Sequence, residues 1–276
     1  MISPETKEQK LFEIIGRYKN ALVAFSGGLD SAIVLWASVK VLGKDNVWAV
    51  TSNSDSLPEE EEKEARRLAQ EIGLPDERHL IITTEEINNP DYKKNPINRC
   101  YFCKQELFDK LKAMSSQLKA EAVFDGSNLS DTGDYRPGRQ AAEEFQIVSP
   151  LLEAELDKNE LREMARKYNL SFAEKPAAAC LASRIPYGIE VTPERLHQID
   201  MAETALRRLG FSGFRVRYHN EVARLELRPE DIVRVLENGI KDKIIDAIKK
   251  AGFKYVALDL EGYRQGSLNQ NIKSGE

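Results

Sequence analysis

Cysteine and histidine are both scarce in this chain, at three residues each, and that scarcity bounds the chemistry. Three thiols cannot build a disulfide framework, so the core must hold the fold, and a reducing, cytoplasmic compartment is expected. A closed zinc site needs four ligands and would have to recruit a histidine, yet His79, His197 and His219 all lie away from the cysteines in sequence. Long apolar runs are missing as well: none approaches a membrane span, and 31% charged residues argue the same way. The polar opening MISPETKEQK reads as neither a signal nor a transit peptide. An excess of positive charge is also lacking. With a net charge of −5, no general binding of nucleic acid or of anionic membranes is expected. Internal repeats and low-complexity linkers are absent.

What is present is a core-forming composition, 41% hydrophobic over 276 residues, enough for one large domain or one domain plus a smaller one. Helical and strand patterns alternate. Leu11, Ile14, Ile15 and Tyr18 recur at helical spacing behind a start at Ser3 and Pro4. The unbroken apolar run ALVAF (21–25) suits a strand buried on both faces, followed by a helix from about Asp30 to Leu42. VWAVTS, HLIITT and AVFDGS read as further strands, separated by the helices PEEEEKEARRLAQEIG and CKQELFDKLKAMSS. This rhythm predicts an α/β fold with a doubly wound parallel sheet. After about Pro186 it changes to a helix capped by Thr192, a hairpin of FRVRYH and ARLEL joined by NEV, two helices and a last strand, KYVALDL. We therefore expect residues 1–186 to form the main domain and 187–276 a small α+β domain, with a frayed tail.

The segment AFSGGLDSA stands between the first strand and its helix. Gly27 and Gly28 allow a tight turn and close backbone approach. Free amides at the positive helix end favour a phosphate, and Ser26 and Ser31 add hydroxyls. The lysine of a G-x-x-x-x-G-K-[ST] loop is absent, so this is not the usual site of γ-phosphate transfer. An N-capped turn is the plain alternative, but the loop sits where open α/β sheets bind ligands. SGGLDS resembles the pyrophosphate loop of the PP-loop ATP pyrophosphatases, adenine nucleotide alpha hydrolase-like enzymes that split ATP into AMP and pyrophosphate with magnesium. The resemblance implies that Ser26, Gly27, Gly28, Asp30 and Ser31 hold ATP and Mg2+, with Asp30 on the metal or the phosphates. DGSNLSD (125–131) is similar to a second nucleotide-side segment containing Gly126, and Ser52 and Asn53 would lie near the adenosine.

Cys100 and Cys103 form a C-x-x-C pair in NRCYFCKQE, while Cys180 is distant, in KPAAACLASR. A redox dithiol would leave Cys180 unexplained. Three thiolates on an iron–sulfur cluster leave one iron without a protein ligand, which can carry a hydrosulfide. Two unrelated thiols and a small buried Cys180 are the plain alternative. Taken together, AFSGGLDS, DYRPGR (134–139), KPAAACLASRIPYG (175–188) and RVRYHNEVARLEL (215–227) resemble the LarE family over nearly the full length. Those ATP-dependent sulfurtransferases build the nickel-pincer nucleotide cofactor. The resemblance implies adenylation of a carboxylate on pyridinium-3,5-biscarboxylic acid mononucleotide, then conversion to a thiocarboxylate. Members with one cysteine at the place of Cys180 sacrifice its sulfur and leave dehydroalanine. Members with C-x-x-C as well hold a 4Fe-4S cluster on three cysteines and use an external sulfide source; Cys100, Cys103 and Cys180 match the latter. Family members form hexamers, so a homo-oligomer is expected.

In FRVRYH, Arg215, Arg217 and His219 share a face, and in ARLEL so do Arg224 and Glu226. Pattern alone favours a solvated sheet of mixed charge. The family resemblance reverses this, implying that Arg215, Arg217 and Glu226 form a phosphate site for the substrate nucleotide, arginine being suited to a bidentate grip. It also suggests Ser183 and Arg184 as contacts to the adenylate or substrate, and Arg136 as a contact to ATP. Three other readings compete. An ammonia-using ligase of the same superfamily has no use for three cysteines. A tRNA-thiolating enzyme needs an RNA-binding surface, for which only the short basic hairpin is offered. A zinc-stabilised nucleotide-binding module would release no pyrophosphate.

Overall fold

The computed structural model describes residues 4–133, 137–175, 179–237 and 239–264. Two compact units are formed, one by residues 1–92 and 97–178, the other by residues 93–96 and 179–276.

In the first unit, β1 (Ala21–Ala24), β2 (Val47–Asn53), β3 (His79–Thr83) and β4 (Ala122–Phe124) are all parallel, in the order β3-β2-β1-β4. Val148 adds a parallel bridge to Phe124. The helices Leu29–Leu42, Glu59–Glu71 and Arg99–Leu118 make the crossovers. Successive residues of β1 face opposite ways, which is why the strand reads as uninterrupted apolar sequence. Ala21 and Val23 join one core with Leu11, Ile14, Ile33 and Leu68. Leu22 joins the other, with Val50, Phe108, Leu111 and Val123. Helices thus cover both faces, as expected for a doubly wound sheet. After β3 the chain crosses back to place β4 on the other side of β1, and this reversal of strand order puts a ligand-binding crevice at the carboxyl ends of β1 and β4.

The short helices Pro90–Lys93, Gly138–Glu144 and Pro150–Glu153 and the longer Lys158–Lys167 are additional to those the sequence predicts. Lys158–Lys167 starts at a capping box, in which the Asp157 side chain accepts from the backbone of Glu160 and the Glu160 side chain accepts from the backbone of Asp157. The D-x-x-E spacing ahead of Leu161, Met164 and Ala165 carried the signal. It matters because the helix delivers Lys158.

The second unit holds β5 (Arg215–His219), β6 (Val222–Glu226) and β7 (Tyr255–Leu258). β5 and β6 are antiparallel, and β7 runs parallel to β6. The hairpin turn is shorter than read from sequence: Val222 pairs with His219, so only Asn220 and Glu221 remain in the loop. Asn220 takes a φ of 55°, a left-handed conformation that asparagine tolerates. Leu196, Ile199 and Leu206 of helix Pro193–Arg208 are buried, as are Val216, Leu225, Ile244 and Ile248. Asn95 is fully buried and donates from Nδ2 to the carbonyls of Pro186 and Ile189 at 2.8 and 2.9 Å, which ties residues 93–96 into this unit. Among the described residues, no helix is long and apolar enough to cross a membrane. The tail from residue 265 lies outside the described residues.

Candidate active site

The loop after β1 is built by its own hydroxyls. Ser31 Oγ accepts from the Ser26 amide at 3.2 Å, lies 3.1 Å from Ser26 Oγ and donates to the Gly28 carbonyl at 3.1 Å. Gly27 has φ +72° and lies so near helix Glu59–Glu71 that a Cβ would sit 3.0 Å from the Cα of Ala65. Glycine is therefore required twice over, by the turn and by the contact. The helix Leu29–Leu42 opens at this loop with Gly28 as its cap and Asp30 in its first turn. The positive end of a helix suits an anion.

The loop after β4 forms the opposite wall. Asp125 is buried and accepts from Ser127 Oγ and Ser149 Oγ, both at 2.7 Å. This fixes the turn in which Gly126 meets the start of helix Leu29–Leu42. Ser52 and Asn53 stand at the carboxyl end of β2, half-buried and exposed respectively. Beneath the loop, Thr51 Oγ1 donates to the Phe25 carbonyl at 2.6 Å and therefore accepts from His79 Nε2 at 2.9 Å. Burial, with the nearby Arg66 charge adding to it, lowers the pKa of His79 to about 4, so the ring is neutral. Arg136 lies outside the described residues.

Two lysines that the sequence reading passed over approach this loop. Lys158 Nζ lies 3.5 Å from Asp30 Oδ2. Lys175 Nζ donates to the Gly27 carbonyl at 2.9 Å and to Glu61 at 3.2 Å. Remote segments of the chain thus bring two ammonium groups to the loop.

Cys100 and Cys103 sit in the first and second turns of helix Arg99–Leu118, Cys100 exposed and Cys103 half-buried. Residues three apart on a helix share a face, and the positive helix end favours the thiolate. Cys180 is exposed in the second unit, at the start of the short turn Leu181–Arg184. Among the described residues, no group of three or more histidine, cysteine, aspartate or glutamate side chains is gathered for a metal.

Arg184, almost wholly buried, braces the Cys180 turn. Its Nη1 donates to the Ala179 carbonyl at 2.6 Å, the Cys180 carbonyl at 3.0 Å and Ser183 Oγ at 3.0 Å. Its Nε and Nη2 make a bidentate pair with Glu203 at 2.9 and 3.0 Å. Burial alone would raise the pKa of Glu203, but the Arg184 guanidinium and the Val216 amide outweigh it and hold the carboxyl below its ordinary range. Glu203 also escaped the sequence reading. Its signal was an acid on the apolar stripe of Leu196, Ile199, Ala202 and Leu206.

The hairpin places Arg215, Arg217, Arg224 and Glu226 on one face. The centre of that face is not solvated: Glu226 is 1% exposed and Arg217 5%, while Arg215 and Arg224 at its ends are half-buried. Arg217 pairs with Glu226 at 2.8 Å and donates to the Ser183 carbonyl at 2.8 Å, and Arg224 meets Glu226 at 3.2 Å. Arg215 stacks over Tyr263 at 5.0 Å. Burial, and then the neighbouring charges of Arg184 and Arg217, lower the pKa of Arg215. Guanidiniums packed this closely favour an anion.

A phosphate cradle, remote lysines, exposed thiols and an arginine cluster in one chain restrict the family it can join. A model of the NAD synthase family matches residues 12–109. The pyridinium-3,5-bisthiocarboxylic acid mononucleotide synthase of Lactiplantibacillus plantarum is 35% identical over 100% of this chain and 98% of its own length. The chain belongs to the LarE family. It is accordingly an ATP-dependent sulfurtransferase built on a PP-loop domain. An uncharacterized protein of Synechocystis sp. is 43% identical over 96% of this LarE chain and 98% of its own length. A probable tRNA sulfurtransferase of Methanosarcina acetivorans is 23% identical over 61% of this LarE chain and 42% of its own length.

Proposed function

We propose that this LarE-family enzyme adenylates a carboxylate of pyridinium-3,5-biscarboxylic acid mononucleotide and exchanges its oxygen for sulfur, for nickel-pincer cofactor synthesis. The observation that carries the reading is the full-length likeness to the Lactiplantibacillus synthase in a chain that also exposes thiols. In the first step a substrate carboxylate oxygen attacks the α-phosphorus of ATP, and the α–β bridging bond breaks to release pyrophosphate. Ser26, Gly27, Gly28 and Ser31 hold the phosphates, Asp30 takes Mg2+, and Ser52 and Gly126 border the adenosine. Arg215 and Arg217 grip the substrate phosphate, with Glu226 holding Arg217 in place. In the second step a hydrosulfide attacks the acyl carbon, AMP leaves, and one proton is released. No electron is transferred overall.

Three soft thiol donors, two of them one helical turn apart at a helix start, fit an iron–sulfur group in chemistry. A 4Fe-4S cluster held by Cys100, Cys103 and Cys180 would supply an iron open to external sulfide. A second reading starts from the exposure of Cys180. In it the Cys180 thiolate attacks the acyl carbon and displaces AMP. Loss of the Cα proton with breakage of the Cβ–S bond then leaves a thiocarboxylate and dehydroalanine. In either reading the enzyme works as a homo-oligomer in a reducing cytoplasm.

Purified protein given ATP, Mg2+, the dicarboxylate nucleotide and sulfide is expected to form AMP, pyrophosphate and a product carrying sulfur in place of oxygen. AMP release that does not depend on the dicarboxylate would sink the substrate assignment. Repeated turnover with sulfide supports the cluster, and a single turnover leaving dehydroalanine at position 180 supports sacrifice.

A further inference from the structure

The PP-loop binds phosphate through amides and hydroxyls alone, yet pyrophosphate departs carrying several negative charges. In a phosphoryl or adenylyl transfer that charge is met by fixed cations. Lys175 is 13% exposed, and its ammonium is held between the Gly27 carbonyl and Glu61. Among the described residues these are the two acceptors it meets, and an ammonium has three donors. Lys158 is 27% exposed and faces Asp30 across 3.5 Å. Both reach the loop from the segment after β4, and both already pair there with an oxygen that a phosphate oxygen can replace.

We infer that Lys175 and Lys158 form the pyrophosphate subsite of this enzyme, exchanging Gly27, Glu61 and Asp30 for oxygens of the β- and γ-phosphates. Glu61 is then a place-holder that keeps the ammonium aimed at the loop before ATP arrives and competes with the incoming phosphate. The proposal rests on the adenylation reading above. It adds the source of the positive charge, which that reading left to amides and magnesium.

The test is calorimetric titration of the full chain with pyrophosphate, ATP and AMP in Mg2+ buffer. Lys175→Met and Lys158→Met are each expected to weaken pyrophosphate and ATP by about ten- to hundredfold, the usual loss of a hydrogen bond between charged groups. AMP, which lacks the two outer phosphates, should bind almost as before. Lys175→Gln keeps a donor for the Gly27 carbonyl but no charge, so it should lose pyrophosphate as Lys175→Met does. Lys175→Arg should retain most of the affinity. Glu61→Gln should tighten pyrophosphate, because the ammonium no longer has a competing carboxylate. If Lys175→Gln binds like the wild type, or Glu61→Gln weakens pyrophosphate, Lys175 is a structural strut and the proposal falls. Parallel loss of AMP in both methionine variants overturns it too. Wild-type protein that binds neither ATP nor pyrophosphate overturns the adenylation reading itself, and this subsite with it.

Discussion

A Cβ on Gly126 would lie 2.8 Å from the amide nitrogen of Ser31. The loop after β4 therefore presses its backbone directly on the first turn of the helix after β1. The two walls of the crevice are locked together at a point where no side chain fits, and a disturbance of either wall is passed to the other.

Replacing Gly126 with alanine forces backbone against backbone, since the neighbouring atoms belong to Asp30 and Ser31 and cannot rotate away. Overpacking of this kind costs about 1–3 kcal/mol. Gly126→Ala is expected to melt earlier and to raise the KM for ATP. Unchanged values of both would show that the two loops move independently.

The Arg184–Glu203 pair is buried on both sides, at 3% and 1% exposure. Glu203→Ala leaves a guanidinium without its counter-charge, at a cost of about 3–5 kcal/mol. The Cys180 turn, braced by the same guanidinium, should loosen, so thiol-labelling of Cys180 should quicken in Glu203→Gln even where the fold survives. The pH dependence follows from linkage. The folded pKa of Glu203 is depressed, so its stabilisation is complete above the unfolded carboxyl pKa and fades as pH falls through the folded one. Acid-unfolding curves of wild type and Glu203→Gln should converge at low pH.

His79 supplies a second pH signature. Its pKa drops from 6.5 to about 4 on folding, so the unfolded chain binds the extra proton between those values. Its contribution to stability is whole above pH 6.5 and declines toward pH 4. An NMR titration should place the imidazole midpoint near the lower value. A midpoint near 6.5 would mean that the ring is open to solvent.

Anaerobic purification with iron and sulfide counts separates the two sulfur sources. If Cys100, Cys103 and Cys180 hold a cluster, single alanine variants of each lose both the brown absorbance and repeated turnover, and chelation of iron does the same. A colourless, iron-free enzyme whose activity disappears only in Cys180→Ala contradicts the cluster.

Much of the first unit could be read from residue order. ALVAF announced a strand buried on both faces, because such burial removes the polar alternation, and VWAVTS and HLIITT announced two further strands. SGGLDS announced its loop because a phosphate turn needs glycine and hydroxyl at fixed spacing. The two strands of the hairpin also followed from alternation, although neither their register nor their solvation did: the loop is one residue shorter than NEV, and Arg217 and Glu226, which pattern alone puts on a solvated face, are buried by the way the sheet is covered. Lys158 and Lys175 were unreadable as site residues, because nothing in their local sequence says where their charges end up, and the apolar stripe around Glu203 signals its burial but not its partner Arg184.

Local sequence by itself therefore determined the alternating elements, the phosphate turn, the scarcity of thiols and the full-length family resemblance, since each rests on short-range spacing and residue type. Tertiary structure alone decided which distant charges meet. It brought Lys175 to the Gly27 carbonyl, Glu203 to Arg184, and the backbone of Gly126 to Ser31. The physical reason is that Coulomb attraction and steric exclusion act through space over a few ångströms, whereas sequence orders residues only along the chain.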